Sequence, residues 1–164
     1  MKENFEILKK NTTQFKNIEV FNFGLGAENG SFKLYLSDDS ENYGGVSFYS
    51  EVEGNMSEPF TECEVKNVND VIQENGITSV DLIKIDTEGA EYDILTSFKH
   101  EFLNKISWIT GELHGNRDFE LLNYLNDFGF SVSLNKKIDS RLFMFNAGKK
   151  DIVSKLSRKE IQIL

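Results

Sequence analysis

Two residue types are almost missing from this sequence, and each scarcity excludes something. Cys63 is the one cysteine, so no disulfide framework, zinc ribbon or CxxC redox pair can form within a chain. Pro59 is the one proline; with 39% hydrophobic and 27% charged residues, this excludes a collagen-like or low-complexity chain. Basic charge is also scarce: 18 Lys and Arg stand against 27 Asp and Glu, leaving a net charge of −9. Such a field repels phosphate backbones, and the one basic cluster (Lys149, Lys150, Lys155, Arg158, Lys159) is diluted by Asp151 and Glu160. Nucleic acid is therefore not the expected partner. No apolar run approaches the roughly 20 residues that span a bilayer. The charged, amphipathic start lacks the apolar stretch of a signal peptide. A soluble, cytoplasmic protein without a membrane span is the expectation.

The length, 164 residues, fits one domain over positions 1–164. A chain of this size buries roughly 68–70% of its unfolded surface, enough for a core. Residues 3–11 space Phe5, Ile7 and Leu8 for one helical face. Residues 18–23 (IEVFNF) and 32–36 (FKLYL) alternate apolar with polar and predict two strands joined as a hairpin. Residues 63–68 (CEVKNV) predict another strand, running into a helix with Val71 and Ile72 inward and Asn75-Gly76 as its stop. Residues 80–85 (VDLIKI) are dense in apolar side chains, as in a buried parallel strand. The period then changes, and Ala90, Ile94, Leu95 and Phe98 share a helical face. Residues 106–113 (ISWITGEL) predict a strand, followed by a helix with Phe119, Leu122, Leu125 and Phe128 inward and Gly129 at its end. Residues 130–134 and 142–145 predict an antiparallel strand pair, and 150–164 a helical tail. The order strand, helix, strand, helix, strand, strand from Val80 onward predicts an α/β sheet covered by helices.

Two segments can carry chemistry. In the first, Asp86 ends a buried strand, and ligands of open α/β sheets bind beyond such carboxyl ends. Asp86 or Thr87 can also cap the following helix, with Glu88 and Glu91 favouring its positive end. The acids are more numerous than a cap requires, and Asp86 is read as functional. In the second, Gly111-Glu112-Leu113-His114-Gly115, Glu112 and His114 point to one side of a strand and Leu113 to the other. If the two strands are neighbours, Asp86, Glu112 and His114 converge. An imidazole beside carboxylates makes a general base near neutral pH, and the same donor set suits a divalent metal. His114 can equally be a strand-end residue bonded to backbone, whereas His100 reads as surface. Gly24-Leu25-Gly26, with Gly30, has the wrong spacing for a dinucleotide fingerprint and is followed by a strand, so its glycines are expected to serve a turn.

The run of residues 81–91, DLIKIDTEGAE, closely resembles the signature of FkbM-type S-adenosylmethionine-dependent methyltransferases. Flanking segments are similar too: FEILKKN at 5–11, Gly24-Leu25-Gly26 with Gly30 and Phe32, Gly44-Gly45-Val46-Ser47, EVKNVNDV at 64–71, and ITGELHG at 109–115 with its E-x-H. The resemblance reaches to about Lys149. It implies a Rossmann-like methyltransferase sheet, N-terminally truncated, ending in a C-terminal antiparallel strand pair. It also implies S-adenosylmethionine as cofactor, held by Gly24, Leu25, Asp86 and Thr87, and methyl transfer to a hydroxyl of a sugar, glycolipid or other small molecule. Asp86, Glu112 and His114 are the implied catalytic residues, with His114 or Asp86 as base, and no metal is assigned.

The family's glycine-rich turn after its first strand, and the acid ending its second, have no counterpart before Phe5. The alternatives expected are that the remaining strands pair directly across the gap, that an exposed sheet edge is open to homo-oligomerisation, or that the chain is part of a longer enzyme; in function the alternative is an inactive binding module derived from the fold. A metal-dependent hydrolase using Asp86, Glu112 and His114 is the reading outside this family. Acceptor choice is expected in the loops at 38–54 and 135–140, where Tyr43, Phe48 and Tyr49 can stack on a sugar or simply pack.

Overall fold

Parallel strands need a crossover, and the helical spacing after Asp86 supplies one. The computed structural model describes residues 2–36, 46–47, 60–114, 117–135 and 143–156. Strand β5 (Val80–Ile85) is followed by α3 (Glu91–Ser97) and α4 (His100–Leu103), which return the chain to β6 (Ile106–Leu113), parallel to β5. Helix α5 (Asp118–Asp127) then leads to β7 (Phe130–Asn135) and β8 (Phe143–Lys149), an antiparallel pair, and α6 (Lys150–Val153) follows. The order β5-β6-β8-β7 forms one four-stranded sheet, with β8 antiparallel to β6.

The second sheet has the order β1-β4-β2-β3, built from β1 (Gly24–Gly26), β2 (Gly30–Leu36), β3 (Val46–Ser47) and β4 (Phe60–Asn67). Helix α1 (Lys2–Thr12) precedes it and buries no residue, while α2 (Val68–Glu74) follows β4. The chain is thus a mixed α/β protein with two sheets.

The core lies on one face of β5-β6-β8-β7. Residues paired across a sheet share a face, so Ile83, Ile109, Ala147 and Val132 form one row, and Ile85, Gly111 and Phe145 the next. Leu95, Leu103, Leu121 and Leu125 from α3, α4 and α5 pack with these rows in one buried cluster. The opposite face carries Trp108 over Gly148, with exposed Leu82 and Met144.

Several elements differ from the sequence reading. Residues 18–23 form no strand: Phe21 and Phe23 pack on each other with ring centroids 5.3 Å apart, and Ile18 and Phe21 are exposed. An alternating stretch without a neighbouring backbone has nothing to pair with. Gly24-Leu25-Gly26, expected as a turn, is itself the strand, and it pairs parallel to β4 from Gly24↔Val65 to Gly26↔Asn67. A Cβ on Gly26 would lie 2.7 Å from Val65 Cγ1, so this glycine serves close strand packing. Strand β4 starts three residues earlier than expected, and Val68 already belongs to α2, capped by the Asn67 side chain. The buried stripe of α5 is Leu121, Leu122 and Leu125, whereas Phe119, in the first turn, is 73% exposed. The stops of α2 and α5 fall as expected, with Gly76 and Gly129 both at positive φ. Of the tail, 150–153 are helical and 157–164 lie outside the described residues.

Candidate functional site

Strands β5 and β6 end side by side because Gly111 sits where no side chain fits. A Cβ there would lie 2.4 Å from the Ile85 carbonyl oxygen and 2.9 Å from Phe145 Cε1. The Ile85↔Gly111 register places Asp86 and Glu112 next to each other, one residue on. Leu113 is buried in the core, and Asp86, Glu112 and His114 stand at or just beyond the adjacent ends of β5 and β6. Three residues read as convergent from the sequence are thus brought together.

The turn beyond Asp86 is organised by a residue the sequence reading treated as a dipole partner. The N-cap of α3 is Ala90, without a side-chain cap bond, so neither Asp86 nor Thr87 caps the helix as expected. Instead Glu91, the first residue of α3, folds back. Its Oε1 accepts from the Thr87 backbone N–H (2.9 Å) and Thr87 Oγ1 (3.1 Å), and its Oε2 from the Gly89 N–H (3.0 Å). These bonds satisfy a carboxylate whose side chain is 2% exposed, which burial would otherwise penalise heavily. The turn they hold runs through Glu88 at φ 51° and Gly89 at φ 107°; Glu88 is the one non-glycine residue at positive φ among the described residues.

His114 lies over this turn with its side chain 6% exposed. Its Nδ1 is 3.4 Å from Glu91 Oε1. Its Nε2 faces Glu88 Oε2 at 3.6 Å and Glu112 Oε2 at 4.0 Å. Asp86 accepts a hydrogen bond from Lys84, two residues back on the same face. The site therefore gathers four carboxylates around one imidazole, with the exposed Lys84 at its margin.

A cleft of about 490 Å³ adjoins the site, and Gly24, Leu25, Asp86 and Thr87 all line it. Its remaining wall is largely apolar, including Phe23, Ile83, Ile94 and Phe98. A second cleft of about 310 Å³ shares Leu25 and Ile94 with the first and is bordered by Glu28 and Asp93. Arg117 lies 3.5 Å above the Tyr92 ring and donates to Glu120, which raises its guanidinium pKa. Tyr43, Phe48 and Tyr49, together with residues 136–140, lie outside the described residues.

Glu88 and Glu91 are the residues sequence reasoning missed. A signal for Glu91 was present: positions 91, 94, 95 and 98 share a helical face, so a carboxylate falls on the stripe that buries Ile94, Leu95 and Phe98. For Glu88 the sequence carries no comparable mark, since its position follows from backbone geometry.

Comparison with known proteins gives two matches. A family profile described as "Methyltransferase FkbM domain" matches residues 2–132. AMB antimetabolite synthetase AmbE of Pseudomonas aeruginosa is 28% identical over 118 residues, a stretch covering 65% of this chain and 6% of that protein. The chain thus spans a small fraction of that relative's length. No solved structure matches.

Proposed function

The chain belongs to the methyltransferase FkbM domain family, and from that premise we propose that it methylates a hydroxyl oxygen of a small-molecule or carbohydrate acceptor, with S-adenosylmethionine as donor. The observation that carries this reading is the position of Asp86. It lines the cleft and also belongs to the carboxylate–imidazole cluster, so a ligand in the cleft would meet the proton-accepting groups at one residue. The cleft's volume is within the range of about 300–1,000 Å³ common for cofactor sites. Bound S-adenosylmethionine supplies an electrophilic methyl group on a positively charged sulfur. Gly24, Leu25 and Phe23 offer it an apolar wall, and Asp86 and Thr87 offer an acceptor carboxylate and a hydroxyl. His114 or Asp86 takes up the proton that the acceptor hydroxyl releases, with Glu112 beside the imidazole. Glu91, by holding His114 Nδ1, leaves Nε2 turned toward the site. The parallel β5-β6 pair with its helical crossover, and the antiparallel β8 beside β6, support reading this sheet as part of a Rossmann-like methyltransferase sheet.

One observation favours a second reading, a binding module of the same fold without turnover. Among the described residues β5 pairs on one side alone, and the cleft is bounded by that edge. Calorimetric titration with S-adenosylmethionine and S-adenosylhomocysteine separates the two. Micromolar binding at one site is expected, together with a roughly 100-fold or larger loss of turnover in Asp86→Asn at unchanged circular dichroism. A folded protein that binds neither compound overturns the methyl-transfer reading in favour of the module. Unchanged turnover in Asp86→Asn removes Asp86 from the mechanism.

A further inference from the structure

We propose that Asp86, Glu88 and His114 form a binding site for a divalent transition-metal cation. The ligand atoms of these three side chains all lie within 4.8 Å of one another. Two carboxylate oxygens with one imidazole nitrogen suit Mn²⁺, Fe²⁺ or Zn²⁺, whereas Mg²⁺ and Ca²⁺ favour all-oxygen sets.

The geometry of His114 points independently to a ligand. This imidazole is buried, and its Nε2 is aimed into the cluster at 3.6 Å from Glu88 Oε2 and 4.0 Å from Glu112 Oε2. Both distances exceed a hydrogen bond. The Glu88 distance is close to that between two ligands sharing a cation, since bonds of about 2.1 Å place tetrahedral neighbours about 3.4 Å apart. The other ring nitrogen faces the buried Glu91 carboxylate at 3.4 Å. Metal-ligating histidines almost always turn their second nitrogen to such a partner, which sets the tautomer and ring orientation.

Glu88 supplies a further indication. Its φ of 51° lies in the left-handed region that side-chain-bearing residues rarely adopt, and such a conformation persists where the surroundings impose it. The Thr87 and Gly89 bonds to Glu91 impose it here, and the outcome is a carboxylate brought back toward His114. The charge also favours a cation. Asp86, Glu88, Glu91 and Glu112 crowd one imidazole, and the cation paired with them in the described cluster, Lys84 on Asp86, is exposed.

The site shares Asp86 and His114 with the methyl-transfer reading but is argued from geometry that does not depend on it, and its test uses no cofactor. Protein stripped with chelator is titrated with Mn²⁺, following loss of the free-ion paramagnetic resonance signal, and separately with Zn²⁺ by calorimetry. One Mn²⁺ per chain is expected, displaced by Zn²⁺ and not by a comparable concentration of Mg²⁺. Glu88→Gln, at a partly exposed position, and His114→Gln should each weaken Mn²⁺ roughly tenfold or more. Glu120→Gln, outside the cluster, should leave it unchanged. Absence of stoichiometric Mn²⁺ and Zn²⁺ binding overturns the proposal, as does equal affinity in Glu88→Gln and the parent protein. Glu88→Gln keeps the test decisive if His114→Gln does not fold. Metal binding without cofactor binding would count against the methyl-transfer reading alone, and the reverse result against this proposal alone.

Discussion

The two sheets of this protein are both four-stranded, both contain one parallel pair, and differ sharply in how they are covered. In β5-β6-β8-β7, helices α3, α4 and α5 close one face, and Phe130, Phe145, Ile109 and Leu121 have no accessible surface. In β1-β4-β2-β3, Val65 is the buried hydrophobic residue of its described strands, while Leu25 and Phe32 are exposed. The crossover that makes a strand pair parallel also supplies the helix that buries it, so β5-β6 arrives with its own cover. The parallel pair β1-β4 has β2 on the far side of β4, and no helix stands among the described residues between β1 and β4. Chemistry-bearing side chains stand at the covered seam, where strand ends are held firmly enough to aim a carboxylate and an imidazole.

The sharpest way to break this comparison is to remove one large side chain from each sheet. Phe145→Ala should destabilise by about 3–5 kcal/mol in urea unfolding, and Phe32→Ala by less than about 1 kcal/mol. Equal costs would mean that the two sheets share one core. A smaller difference is expected from glycines. Gly111→Ala drives a Cβ into the Ile85 carbonyl and should cost about 1–3 kcal/mol, whereas Gly30→Ala meets only the exposed Phe32 ring and should stay within about 0.5 kcal/mol. The smallest effect concerns the join between the sheets. Asn69, in α2 after β4, donates to Ser97 O at 2.8 Å and accepts from the Lys99 N–H at 2.8 Å, at the end of α3. Asn69→Ala should cost about 1 kcal/mol and make hydrogen exchange near β4 faster relative to β6. Unchanged relative protection would show that the sheets are coupled by packing instead.

The covered sheet was legible in the sequence; of the other, β2 and β4 were legible at 32–36 and 63–67, and β1 and β3 were not. Positions 80–85, 106–113 and 130–134, and the buried face of Ala90, Ile94, Leu95 and Phe98, follow from periodicity because a one-sided apolar pattern is what a covered layer demands. Residues 18–23 show the same alternation and form no strand, since alternation records a preference and pairing needs a partner backbone. Gly24-Leu25-Gly26 shows the converse. Its glycines suggest a turn, yet the space that Gly26 leaves is filled by Val65 of a neighbouring strand. The site divides in the same way. Asp86, Glu112 and His114 could be read from strand ends and two-residue spacing, whereas a cap on α3 from Thr87 does not form, because Glu91 takes the turn's N–H groups.

Local spacing by itself determined which residues are apolar on one face, which side chains end β5 and β6, and the motif of the family to which the chain belongs. Those properties are written within a few consecutive residues. The tertiary structure alone decided the order β1-β4-β2-β3, the burial of Glu91, and the approach of Glu88 and Glu91 to His114. His114 is 23 residues from Glu91 in sequence and 3.4 Å away in space, because two parallel strands place both ends at one edge. A contact of that kind depends on strand order and on a positive φ at Glu88, and neither is a property of any short stretch of sequence.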